Sequence, residues 1–159
     1  MVLADEIIHF FHNQRFVIVS TIDKDGTPHN ACKGIIEIDK NGHIYLLDLY
    51  RASTYENLKR NHNISITGVD EHKFKGWCLK GKAKMIKPSK IKQRTIKAWE
   101  ERITSRITHR IIKNMRGEKG HPHHPEAFLP KPEYMIAVEV KEAINLMRPL
   151  SASSKRQDI

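Results

Sequence analysis

Val17-Ile18-Val19-Ser20-Thr21-Ile22-Asp23-Lys24-Asp25-Gly26-Thr27-Pro28-His29-Asn30-Ala31 is the stretch that decides how this chain folds. Its first six residues are β-branched or small, the composition of a strand packed on one face. Asp23-Lys24-Asp25-Gly26 then reads as a turn, with Gly26 free to take a positive φ. From Thr27 the pattern resumes as a longer strand to Ile38, and Asn41-Gly42 marks a second tight turn. His43 to Leu49 follows as a third strand, so the first fifty residues predict an antiparallel meander joined by hairpins.

Working outward, Leu3, Ile7, Ile8 and Phe11 fall at helical spacing, predicting a short amphipathic helix over Leu3 to Asn13. Ser53 is a good N-cap residue and opens a second helix with a stripe of Tyr55, Leu58 and Asn61. Ile64 to Val69 predicts a fourth strand. Gly76 to Ile86 predicts a fifth, with Gly81 marking a bulge or a close backbone approach. From Pro88, the positions Ile91, Trp99, Ile103, Ile107, Ile111 and Met115 predict the longest helix, stopped at Gly117. Gly120 to Pro132 reads as an irregular loop, and Glu133 to Met147 as a last strand. Six strands and few helices predict a mainly β fold, a six-stranded antiparallel barrel with flanking helices, whose closure removes exposed edges. Residues 1–150 form one domain on this reading, and Ser151 to Ile159 a polar tail.

The 159 residues suffice for a single core without staples. The longest apolar runs, such as Ile44 to Leu47, fall far short of the ~20 residues of a membrane-spanning helix. The early Asp5 and Glu6 argue against a signal peptide, so a cytoplasmic location is expected. Cys32 and Cys78 lie singly in strand-like runs with no CxxC spacing, which predicts small buried thiols and no metal or redox pair. The net charge of +10 is concentrated: Lys80 to Gly120 holds fourteen Lys and Arg against three Glu. Arg102, Arg106 and Arg110 fall on one face of the long helix, read as a solvated stripe or an attractor of anions. No nucleic-acid motif accompanies them, so nucleic acid is not the expected partner. His121-Pro122-His123-His124 resembles a metal cluster but lacks the ligands to complete a tetrahedral set, and reads as a loop.

The chemistry-bearing segment runs from Leu47 through Asp48, Leu49, Tyr50, Arg51, Ala52, Ser53 and Thr54 to Leu58. A strand ends, an Arg follows, and two hydroxyl residues begin a helix. Unpaired N–H groups at a helix start, two hydroxyls and a guanidinium suit a phosphate monoester. A capped surface helix beside an Arg is the plainer reading of the same residues.

The segments Val17 to Ala31, Arg51 to Ile66 (RASTYENLKRNHNISI) and Gly76 to Ile86 (GWCLKGKAKMI), in this order, resemble the pyridoxamine 5'-phosphate oxidase-like, FMN-binding split-barrel family. The resemblance implies FMN held non-covalently at the interface of a homodimer. It implies that Asn30, Ala31, Cys32 and Lys33 run along the flavin ring. It implies that Leu47, Asp48, Leu49, Arg51, Ser53 and Thr54 hold the ribityl chain and phosphate. Trp77 and Lys80 match a strand that in the family often reaches the cofactor from the partner subunit. Where family members often carry a Lys or Arg in the phosphate turn, Ser53 and Thr54 stand here, leaving Arg51 or Lys80 to supply the charge. Lys33 either places positive charge by the flavin, raising its potential, or points to solvent.

The function implied is a flavin-dependent oxidoreductase with a small-molecule substrate or electron donor. A non-catalytic flavin carrier and a basic nucleic-acid-binding barrel are the alternatives, and a deazaflavin or haem could replace FMN on the same scaffold. Oxidation of pyridoxamine phosphate itself is disfavoured, because Arg148-Pro149-Leu150 leads into a Ser/Lys tail with no histidine.

Overall fold

Alternation along each strand sorts side chains between the inside and outside of a barrel. In β1 (Val17–Ile22), Val17, Val19 and Thr21 are buried, and Ile18 between them is 40% exposed. The computed structural model describes residues 1–48, 51–91, 93–98, 100–101, 104–105 and 134–147. Within them β1 is followed by β2 (Pro28–Ile38), β3 (His43–Asp48), β4 (Asn63–Asp70), β5 (Lys75–Ile86) and β6 (Tyr134–Asn145). They close in the order β1-β2-β3-β6-β5-β4, every neighbour antiparallel. The expected mainly β, six-stranded closed barrel is the fold.

The turns do what their residues require. Gly26 has φ 89° and Gly42 φ 79°, conformations glycine adopts without a Cβ penalty. The β1–β2 turn is closed by hydrogen bonds from Asp23 N to Thr27 O (2.9 Å) and from Gly26 N to Asp23 O (3.0 Å). In β5 the register shifts between Lys80 and Gly81, the bulge expected there. A Cβ on Gly81 would lie 2.2 Å from the carbonyl oxygen of Glu139, so only glycine fits.

The interior holds Val17, Val19, Ile35, Ile44, Leu46, Ile66, Leu79, Ile136, Val138 and Val140, all at or below 2% exposure. Each such side chain contributes about 1.5–3 kcal/mol on burial. A helix closes each end. α1 (Asp5–His12) turns Ile7, Phe10 and Phe11 inward at the end where β1 starts and β4 finishes, its aromatic rings lying on Gly68. α2 (Ser53–Arg60) follows β3 and closes the other end, burying Thr54, Asn57 and Leu58.

Three sequence readings are corrected here. Ser53 is not the N-cap of α2: Ala52 is, in extended conformation and with no side-chain cap bond, and Ser53 is the first helical residue. The inward face of α2 is Thr54, Asn57 and Leu58, with Tyr55 packed at its margin as expected; the expected stripe missed Thr54 and Asn57, whose amide is anchored to β1. The thiols are not both buried: Cys32 is exposed and Cys78 half-buried. Cys32 pairs with outward-facing Ile18, so the alternation of β2 puts it outside the barrel. The predicted long helix begins with a single 3₁₀ turn (Pro88–Lys90), and residues 93–98, 100–101 and 104–105 are helical. The remainder of that helix, the His121–His124 loop and the C-terminal tail lie outside the described residues. No helix among the described residues is long and apolar enough to cross a membrane.

Candidate functional site

The β1–β2 turn and the start of α2 face each other across an open cleft of about 560 Å³. Asp23, Lys24 and Asp25 line one wall, and Arg51, Ala52, Ser53, Glu56, Asn57 and Arg60 the other. The first turn of α2 borders this cleft, the end of a helix where backbone N–H groups gather. Tyr55 N and Glu56 N bond back to the Ala52 carbonyl at 3.0 and 3.3 Å.

The cleft's carboxylates are engaged within the protein. Asp23 Oδ1 accepts from the Asn57 amide at 2.7 Å. Glu56 Oε2 pairs with Lys59 at 3.3 Å. Asp25 Oδ1 accepts from the Thr27 hydroxyl (2.6 Å) and backbone N–H (3.0 Å). These bonds, the hydroxyl's first, hold the Asp25 carboxyl below its ordinary pKa. Arg60, by contrast, donates to neutral acceptors: Asn57 Oδ1 at 2.5 Å, Glu56 O at 3.2 Å and Ile22 O at 3.3 Å. Arg51 lies over the Tyr55 ring, its guanidinium carbon 5.3 Å from the centroid. The cleft thus presents Arg51, Ser53 and a helix N-terminus, a set that suits a phosphate.

Asn57 locks this wall in place. Its amide, on a residue only 2% exposed, donates to Thr21 Oγ1 (3.0 Å) as well as to Asp23. A buried amide satisfied on both sides fixes α2 to the end of β1.

Behind α2, inside the barrel, stands a buried polar cluster. Lys33 shares the interior level of Val17. Its ammonium donates to Asp48 Oδ1 at 2.5 Å, with side-chain exposures of 13% and 4%. The hydroxyl of Tyr134 donates to the other oxygen, Oδ2, at 2.5 Å. The ring of Tyr134 meets that of Tyr55 edge-on, centroids 4.9 Å apart at 71°. Lys33 is therefore not turned to solvent: it points into the barrel, its charge met by Asp48.

The remaining expected residues lie elsewhere on the same chain. Asn30 and Cys32 face outward on β2, and Asn30 Oδ1 accepts from Ser20 Oγ at 2.6 Å. Ala31 shares the inward level of Val19. Lys80 is exposed on the outside of β5, paired with Glu142 at 3.3 Å. Trp77 packs against the core, opposite Gly68 and Asn145, towards the end closed by α1. The backbone of Leu47 pairs with Gly34 and Met135. Leu49 lies outside the described residues. One chain thus brings together Arg51 and Ser53 at the cleft and Lys33 and Asp48 behind it, with Thr54 buried beneath at 2% exposure. It leaves Asn30, Cys32, Trp77 and Lys80 apart from them.

Sequence reasoning missed Tyr134, Tyr55 as a platform, and Arg60. The Arg51–Tyr55 and Glu56–Arg60 spacings of four residues were the available signal for the last two. Nothing near Tyr134 in sequence points to Asp48.

A family model described as pyridoxamine 5'-phosphate oxidase matches residues 3–135. A search of the curated proteins found no match. Among solved structures, the chain is similar to HupZ of Group A Streptococcus, with TM-score 0.61 and 18% identity over 91% of this chain and 94% of that one. It is similar to a putative pyridoxamine 5'-phosphate oxidase from Lactobacillus delbrueckii (TM-score 0.59, 17% identity, covering 90% and 93%). It is also similar to HutZ of Vibrio cholerae, described as a heme storage protein (TM-score 0.52, 16% identity, covering 91% and 94%). At these identities the structures share the fold.

Proposed function

The chain belongs to the pyridoxamine 5'-phosphate oxidase family, and from that membership we propose that it is an FMN-binding flavoprotein acting as an oxidoreductase on a small-molecule substrate. The observation that carries this reading is the cleft at the start of α2, where Arg51, Ser53 and the first turn of the helix converge. The chemistry of that set, a guanidinium and a hydroxyl beside a helix start, is what a phosphate monoester requires. Bound FMN would supply the two-electron chemistry. The chain's residues would bind it, orient it and exclude water from one face of the ring.

The proposal includes a second copy of the chain. In register across the outside of the barrel lie Cys32, Ile18, Thr67, Cys78 and Ile144, and beside them Asn30, Ser20, Ser65, Lys80 and Glu142. Phe16, Val69 and Leu146 extend this face and are 48–60% exposed. A largely uncharged sheet face of this kind suits a protein partner. A dimer built on it would place Lys80 of each copy at the interface, whereas Trp77, turned inward against the core, lies off this face.

The test is the chromophore. Purified protein should carry, or take up at micromolar concentration, a yellow ligand released on denaturation and identified as FMN. Colourless protein that refuses FMN overturns the reading. Reduction of the bound flavin by a nicotinamide cofactor, followed by turnover of an acceptor, separates an oxidoreductase from a flavin carrier.

A second reading, a porphyrin in place of flavin, draws on the burial of Thr54 and the inward turn of Lys33, which leave fewer donors for a flavin phosphate and ring. A heme storage protein shares the fold. A Soret band after haem titration, with no uptake of FMN, would favour it.

A further inference from the structure

We propose that Tyr55 and Tyr134 are positioning residues for Arg51, and that the buried Lys33–Asp48 ion pair anchors them. The inference rests on the reading of Arg51 as a phosphate ligand and concerns how its guanidinium is held. Both oxygens of Asp48 are in use, one by Lys33 and one by Tyr134, so the carboxylate has a single orientation inside the barrel. Tyr134, 2% exposed, is pinned by its hydroxyl and presents its ring to Tyr55. Tyr55 in turn offers its ring to Arg51 at 5.3 Å and to Lys59 at 5.6 Å. A guanidinium on an aromatic ring is attracted to its π-electrons and loses rotamer freedom before any ligand arrives. The ordering cost is then removed from the binding step. The path runs from β2 through β3 and β6 to α2, linking four elements to one cation at the cleft.

The consequence is specific: the two tyrosines govern preference for a phosphorylated ligand, not affinity for the ring. Titrating wild type, Tyr55→Leu, Tyr55→Phe and Tyr134→Phe with FMN and with riboflavin, which lacks the phosphate, reads this out. Tyr55→Leu should reduce the FMN-over-riboflavin preference by about threefold to tenfold, with riboflavin affinity unchanged. Tyr55→Phe keeps the ring and should retain the wild-type preference. Tyr134→Phe should fall between them. A ligand-free measurement runs alongside. The Arg51 side-chain protons should show ring-current shifts by NMR in wild type and Tyr55→Phe, and lose them in Tyr55→Leu. Unshifted Arg51 resonances in wild type, or an FMN preference untouched by Tyr55→Leu, would overturn the positioning role. If wild type binds neither FMN nor riboflavin, the flavin reading falls, and the Arg51 resonances still decide how the guanidinium is held.

Discussion

Lys33 and Asp48 form an ion pair inside the barrel, Nζ to Oδ1 at 2.5 Å, fifteen residues apart in sequence and on adjacent strands. Two charges so enclosed are held by each other and by Tyr134. Removing one partner leaves the other buried without its counter-charge. Lys33→Met should therefore destabilise the fold by about 3–5 kcal/mol in chemical denaturation. Combined with Asp48→Leu and Tyr134→Phe, much of that loss should be recovered. Because Asp48 already neutralises Lys33, the potential of bound flavin should owe little to it. A single Lys33→Met variant of wild-type stability would contradict this account.

Arg51→Ala should weaken FMN binding by about tenfold to a hundredfold, the range for a lost charge-assisted hydrogen bond. Ser53→Ala should act in the same direction and more weakly. Thr54→Val should lower the melting temperature with little effect on FMN, since Thr54 is buried beneath the helix. Calorimetric titration together with thermal melts separates the two kinds of effect.

Gly81→Ala should cost about 3 kcal/mol or more, because the added carbon meets the Glu139 backbone and the bulge cannot relax without shifting β6. A denaturation midpoint unchanged from wild type would show that the bulge is more compliant than its contacts indicate.

The Asp25 carboxyl is held below its ordinary pKa chiefly by the Thr27 hydroxyl. A depressed carboxylate favours the folded state above its unfolded pKa, and that benefit disappears as the pH falls through its folded pKa. The β1–β2 turn should loosen in acid, below about pH 4. Thr27→Val should move the Asp25 titration, followed by NMR, up towards the ordinary carboxylate value. No upward movement would mean that the hydroxyl is not the cause.

If the outer face around Ile18 is where two copies meet, Ile18→Lys places a charge at its centre. Sedimentation should then show a monomer where wild type is a dimer, with the barrel still folded by circular dichroism. A dimer that survives both Ile18→Lys and Val69→Lys would put the interface elsewhere.

Much of the fold was legible because its signals are local. The alternation in Val17–Ile22, the glycines at 26 and 42, and the interruption at Gly81 each act on their own neighbours, and the barrel's strands lie close to where they were expected. The site was less legible. Arg51 and Ser53 could be picked out as a cation and a hydroxyl at a helix start, but the inward face of Thr54 could not. That face depends on Asn57 reaching Thr21, thirty-six residues away.

By itself, the sequence determined the strands, their turns and the mainly β class, since periodicity and turn chemistry are properties of neighbouring residues. Only the tertiary structure decided which charges and rings meet. Tyr134 reaches Asp48 across eighty-six residues because barrel closure sets β6 beside β3. Whether a lysine on β2 faces solvent, a ligand or a carboxylate depends on that closure, and no pattern within β2 records it.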